Sequence, residues 1–144
     1  MNILLAIKPD YAAAILAGVK TVELRSYLPA KLHPGDTIYL VGHGRMWGHC
    51  TFAGATPMPP PGICRDRWLA AIAAPAAVPE AVARQQLGRA SAGYAWNLRY
   101  PVSYGERGLR YISKIIPRYM YTATEPEIKH PRLENYLLYL KTHP

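Results

Sequence analysis

In the stretch "AGVKTVELRSY" (residues 17–27), Lys20, Glu23 and Arg25 set a carboxylate between two cations. "TVELRSY" alternates with period two. Val22 and Leu24 point to one side of a strand, and Thr21, Glu23, Arg25 and Tyr27 share the other. Such a row is suited to two kinds of chemistry. As a binding wall, Lys20 and Arg25 would hold a phosphate or a base carbonyl, while Glu23 would fix Arg25 or accept a base's amino proton. As a catalytic pair, Lys20 would act as a base once burial lowered its pKa, with Glu23 as acid–base partner. RNA cleavage needs a group to activate the ribose 2′-hydroxyl and cations for the phosphorane; Glu23 or a histidine, with Lys20 and Arg25, is the set available. The plain alternative is a solvated strand edge with a weak Glu–Arg pair, worth about 0–1 kcal/mol.

The composition narrows the partner. Seventeen Lys plus Arg against nine Asp plus Glu give a net charge of +8. In a chain this small that favours a polyanion, RNA first and DNA as the alternative. Most of the eleven tyrosines and three tryptophans belong in a core, but rings beside cations are what unpaired bases stack on. Tyr27, Tyr94 and Tyr100 are the stacking candidates. Asn97 and Arg99 share the strand face opposite the aromatic stripe and suit a base edge. Arg107, Arg110, Lys114 and Arg118 would extend a phosphate-tracking surface, or simply keep the chain soluble. His43, His49, Cys50 and Cys64 match no metal-ligand spacing, and the adjacent His49 and Cys50 point to opposite strand faces. No metal and no cofactor are expected. Two cysteines are too few for a disulfide framework, which points to a reducing cytoplasm. No apolar stretch is long enough for a membrane span, and "MNILLAIKPDYAA" reads as a first strand instead of a signal peptide.

The elements that must position these residues follow from punctuation and period. "NILLAI" is a buried strand. "KPDYAAAILAGVK" is a helix opened by Pro9, favoured by Asp10 at its positive end and stopped at Gly18. "HPGDTIYLVGHG" and "RMWGHCTFAGA" form a hairpin, with Gly42, Gly44, Gly48 and Gly54 at bends or bulges. After the Pro-rich loop 56–64 come two short helices, "RDRWLAAIAA" and "PEAVARQQLG". "AGYAWNLRYPV" is a strand, "GLRYISKIIPRYMY" an extended segment, and "HPRLENYLLYLK" a closing amphipathic helix at about residues 131–141. The glycines of "GHGRMWG" fall in the hairpin, so they cradle no phosphate. The order predicts a single α+β domain over residues 1–144, a small mixed β-barrel with flanking helices.

"LLAIKPDYAAAILAGVKTVELR" resembles the N-terminal signature of ASCH domains in the PUA-like superfamily: an apolar strand ending in Lys-Pro, a helix, Gly-x-Lys, then a strand with Glu-x-Arg. "GDTIYLVGHG", "MWGHCTFAGA", "GYAWNLRYPVSY" and "KIIPRYMY" are similar to later family segments in the same order. The resemblance covers about residues 3–121 and leaves the C-terminal helix as an extension. It implies a PUA-like barrel with a cleft beside the lysine-containing turn, and a role involving RNA. Relatives include RNA-binding modules, a ribonuclease and an amidohydrolase acting on acetylated cytidine. Gly18-Val19-Lys20 matches Gly-x-Lys, Glu23-Leu24-Arg25 matches Glu-x-Arg, and Lys8 matches the strand-end lysine. The amidohydrolase branch has Lys-x-x-Thr with a threonine nucleophile and a remote glutamate. Glu23 stands here in the threonine's place, and residues 65–80 offer only Asp66 and Glu80.

The expectation is therefore an RNA-binding domain that recognises single-stranded RNA or a nucleobase in a cleft lined by Lys8, Lys20, Thr21, Glu23, Arg25, Tyr27, Tyr94, Asn97 and Arg99. Lys20 and Glu23 are the candidate catalytic pair. The alternatives are a hydrolase acting on RNA or a modified nucleoside, and a protein-interaction adaptor exposing an apolar patch.

Overall fold

Apolar residues at every second position require a sheet with one face covered, and the chain builds one. The computed structural model describes residues 2–106 and 108–110. It contains β1 (Ile3–Ala6), α1 (Pro9–Leu16), β2 (Val22–Arg25), β3 (Thr37–Gly42) and β4 (Arg45–Pro57). Then come α2 (Ile63–Ile72), α3 (Glu80–Leu87), β5 (Tyr94–Ser103) and β6 (Leu109–Arg110). The sheet runs β1-β3-β4-β5-β2, with β6 added against β4. β1 and β3 are parallel, from Ile3↔Ile38 to Ala6↔Val41, and the other pairings are antiparallel. A parallel pair needs a long crossover, and α1 with β2 provides it.

β1 and β2 stand at opposite ends of this order, yet Arg25 on β2 donates from Nη2 to the Ala6 carbonyl on β1 at 2.9 Å. The sheet therefore curls into a half-barrel whose two edges meet without a ladder between them. Inside lie Ile3, Leu5, Ile38, Leu40, Cys50, Phe52, Trp96 and Leu98, capped by Ala12 and Ile15 of α1. Trp96 is fully buried, edge-on to Phe52 and Tyr27, and its Nε1 donates to the Tyr27 carbonyl at 3.1 Å. Gly48 lets two neighbours close in, because a Cβ there would strike the Val102 carbonyl and the Leu16 side chain.

A second apolar cluster joins Val22, Leu24 and Ala95 to Leu69 and Ala73 on one side and Ala83 and Leu87 on the other. The period-two pattern of β2 thus holds, but with its sides placed unexpectedly. The apolar side faces outward under α2 and α3. The polar residue Glu23 sits across the ladder from Trp96 and is only 5% exposed, so the solvated strand edge is not what forms. The reason is topological: the helices supply the apolar cover, which leaves the alternate residues to the barrel.

Local boundaries differ modestly from those expected. α2 starts at Ile63, two residues ahead of the expected Arg65, and β4 extends to Pro57 inside the expected Pro-rich loop. α1 opens on Pro9, and Gly18 after it takes φ 77°, as its stop signal requires. The segment after residue 110, the closing helix at about 131–141, and Arg107, Lys114 and Arg118 lie outside the described residues. Among the described residues no helix is long and apolar enough to cross a membrane.

Phe52→Ala removes a ring from the barrel interior and is expected to cost about 3–5 kcal/mol in urea denaturation. The two thiols are expected to behave oppositely. Burial, reinforced by the Glu23 carboxylate, pushes the Cys50 thiol from 9.0 up to about 12, whereas Cys64 is exposed. A maleimide at pH 8 should label Cys64 rapidly in the native protein and Cys50 only after unfolding. The unfolded thiol ionises first, so the Cys50 contribution to stability is intact below pH 9.0 and declines toward about 12. Cys50→Ala should flatten the alkaline fall in stability over that range.

Candidate functional site

The charged residues of β2 are held by backbone that folds back from far away. Thr21 and Val22 both donate their amides to the Pro75 carbonyl, at 2.9 and 3.2 Å, docking the α2–α3 connection onto the start of the strand. Lys20 completes the dock: its Nζ donates to the Ala76 carbonyl at 2.6 Å and lies 5.0 Å from the centroid of the Tyr11 ring. Lys20 is 2% exposed. Burial holds its ammonium below the usual lysine range, opposed by the Glu23 carboxylate 3.7 Å away.

Glu23 is the hub. Its Oε1 accepts from the Leu24 amide at 3.1 Å and faces Lys20, while Oε2 accepts from Arg25 Nη2 at 3.4 Å. A carboxylate in a barrel interior is tolerable only with charge and hydrogen bonds around it, and it has both. Arg25, through its bond to Ala6, ties this cluster to the opposite sheet edge.

Where the edges fail to pair, a cavity of about 740 Å³ opens. It is bounded by residues 6–8 at the end of β1, by 23–27 at the end of β2, by 41–44 at the end of β3 and its turn into β4, by Tyr11, and by Gln86 and Leu87 of α3. Its size is that of a small-molecule site, and its walls mix apolar surface with a few fixed polar groups. The Arg25 side chain is 24% exposed against 6% for Glu23, so the guanidinium is the more accessible of the pair.

Of the residues picked from sequence, Lys8, Glu23, Arg25 and Tyr27 line this cavity. The other five are placed elsewhere. Lys20 lies behind Glu23, its ammonium committed to Ala76. Thr21, Arg99 and Lys20 border a separate crevice of about 20 Å³. Tyr94 pairs with Arg25 in the ladder and packs on the barrel core, and Asn97 pairs with Val22. Tyr11, His43 and Gln86 were not picked as cleft residues. "GHG" was the available signal for His43: a histidine between two glycines at a hairpin turn, where it takes φ 51°. Gln86 carries no local signal, because only the docking of α3 brings it to the rim. Among the described residues, no group of three or more His, Cys, Asp or Glu could hold a metal ion.

No family model matches the chain, and no curated protein matches it in sequence. Solved structures do match. The crystal structure of ASCH from Zymomonas mobilis superposes with a TM-score of 0.66 at 15% identity, over 94% of this chain and 92% of that one. Two point variants of the same Zymomonas mobilis protein superpose equally well, over 95% and 94% of their chains. At this identity the likeness establishes the architecture, an α+β half-barrel with flanking helices.

The Lys20–Glu23 pair is expected to behave as a coupled buried unit. Lys20→Met and Glu23→Gln should each destabilise the protein by about 3–5 kcal/mol, because each strands the other group. The double variant should cost clearly less than the sum, by about 1 kcal/mol or more. Strict additivity in urea titrations would show that the two groups do not depend on each other.

Proposed function

On the ASCH-domain fold that this chain adopts, we propose that the protein binds single-stranded RNA and seats one nucleobase in the cavity between β1 and β2. The observation that carries this reading is the Arg25 guanidinium, immobilised between Ala6 and Glu23 at the wall of an open cavity. A guanidinium has five N–H donors, and these contacts engage only Nη2, so donors remain for a base carbonyl or ring nitrogen. Its side chain is already ordered, so little rotamer entropy is lost on binding. Tyr11 and Tyr27 offer aromatic walls, and the exposed Lys8 at the rim suits a phosphate. The net charge of +8 supplies long-range attraction for the strand.

Binding is favoured over hydrolysis by the disposition of Lys20. A general base must reach the proton it abstracts, whereas Lys20 is buried behind Glu23 and bonded to a carbonyl. Lys20 is thus a support for Glu23, and Glu23 a support for Arg25.

Anisotropy titrations with labelled single-stranded RNA over a salt series test this reading. Arg25→Ala should weaken binding about tenfold or more, and Lys8→Ala should lower the salt slope by about one. No measurable binding at low salt, or wild-type affinity in both variants, would defeat the proposal. Nucleoside mass analysis of the recovered RNA would expose turnover, and preference for a DNA oligonucleotide would redirect the assignment.

A further inference from the structure

β5 outlasts its partner β2. Their ladder ends at Val22↔Asn97, followed by one bond from the Leu98 amide to the Thr21 carbonyl at 2.9 Å. Beyond it, residues 99–103 are all exposed, and β5 is paired only to β4. Within this stretch Tyr100 breaks the strand pattern. Trp96 and Leu98 are buried in the barrel, so period two would send Tyr100 inward as well. Instead its backbone takes φ 53° and the residue is 72% exposed. For a bulky side chain the left-handed region is strained, whereas glycine would adopt it freely. Tyr100 falls in the break of the β4–β5 register between Thr51↔Arg99 and His49↔Val102, which turns the ring outward at a cost in backbone strain and leaves it open to an external contact.

The surroundings indicate which contact. Arg99 beside it is exposed, as is Val102 two positions on, and exposed Val19 lies between Gly18 and Lys20, which share a crevice with Arg99 and Pro101. Pro101 has no N–H, so a protein strand could not pair continuously along this edge. A net charge of +8 opposes a second copy of the chain. An exposed ring adjacent in sequence to an exposed arginine is instead what a base on a polyanionic strand can stack against.

We propose that Tyr100, with Arg99, forms a second stacking contact for the RNA strand whose first base occupies the cavity. This rests on the RNA-binding reading above. Tyr100 lies four and six positions along β5 from Trp96 and Tyr94, the partners of Glu23 and Arg25. That is roughly 13–20 Å at the rise of a β-strand. A dinucleotide in the cavity does not reach it, and a longer strand does.

The test compares a labelled dinucleotide with a single-stranded RNA of about 16 nucleotides, the upper end of a barrel footprint. Tyr100→Gly, which suits the backbone and should fold, is expected to weaken the long RNA about tenfold and leave the dinucleotide unchanged. Tyr100→Trp should retain the long-RNA affinity. If Tyr100→Gly binds the long RNA as wild type does while Arg25→Ala loses both ligands, the second contact is refuted and the cavity reading stands. An equal loss for both ligands in Tyr100→Gly refutes it too, as does a change in oligomeric state with RNA affinity intact. If the wild-type protein binds neither ligand, both readings fall.

Discussion

A carboxylate buried in a half-barrel sets the terms for the rest of this structure. Glu23 is accommodated there because Lys20 and Arg25 stand on either side and the Leu24 amide serves one of its oxygens. Each neighbour then carries the constraint outward. Lys20 is itself buried and takes the Ala76 carbonyl, which fixes the α2–α3 connection against β2. Arg25 takes the Ala6 carbonyl, which holds the far edge of the sheet. One unfavourable burial is thereby turned into two tethers between elements distant in sequence.

The cavity is a consequence of how those edges meet. A closed barrel would satisfy the backbone of β1 and β2 with a ladder and leave no opening. Here a side chain replaces the ladder. A guanidinium reaches further than a peptide group, so the edges are joined yet kept apart, and the space between them is walled by residues 6–8, 23–27 and 41–44. The turn carrying His43 and the end of α3 complete the rim. The opening and its fixed donor have the same cause.

The charges divide by burial into two kinds of work. Lys20 is enclosed and serves the fold. Arg25 is half-enclosed: it serves the fold and, on the RNA-binding proposal, the ligand. Lys8 and Arg99 are exposed. The same division applies to the rings: Trp96 fills the core, Tyr27 packs against it from the cavity wall, and Tyr100 is turned outward by its backbone. A +8 chain of this fold thus presents cations and aromatics in order of depth, from the cavity to the exposed end of β5.

Much of this was legible in the residues alone, because it depends on neighbours in sequence. Alternation predicted the strands, Pro9 and Gly18 bracketed the first helix, and the glycines of "GDTIYLVGHG" marked the hairpin turn. The order Lys-Pro, Gly-x-Lys, Glu-x-Arg pointed to the ASCH-domain fold that the solved structures support. The Glu23–Arg25 pair was legible too, but its surroundings were not. Spacing places Lys20, Glu23 and Arg25 on adjoining positions but does not say that α2 and α3 will cover the apolar side of β2 and turn Glu23 inward. Nor does it say that Ala76 will claim the Lys20 ammonium, or that Gln86 will reach the rim. Local periodicity reports which side of a strand a residue takes. Whether that side meets water, a cavity or a carbonyl some fifty residues away depends on how the elements pack, and packing energy is a property of the assembled whole.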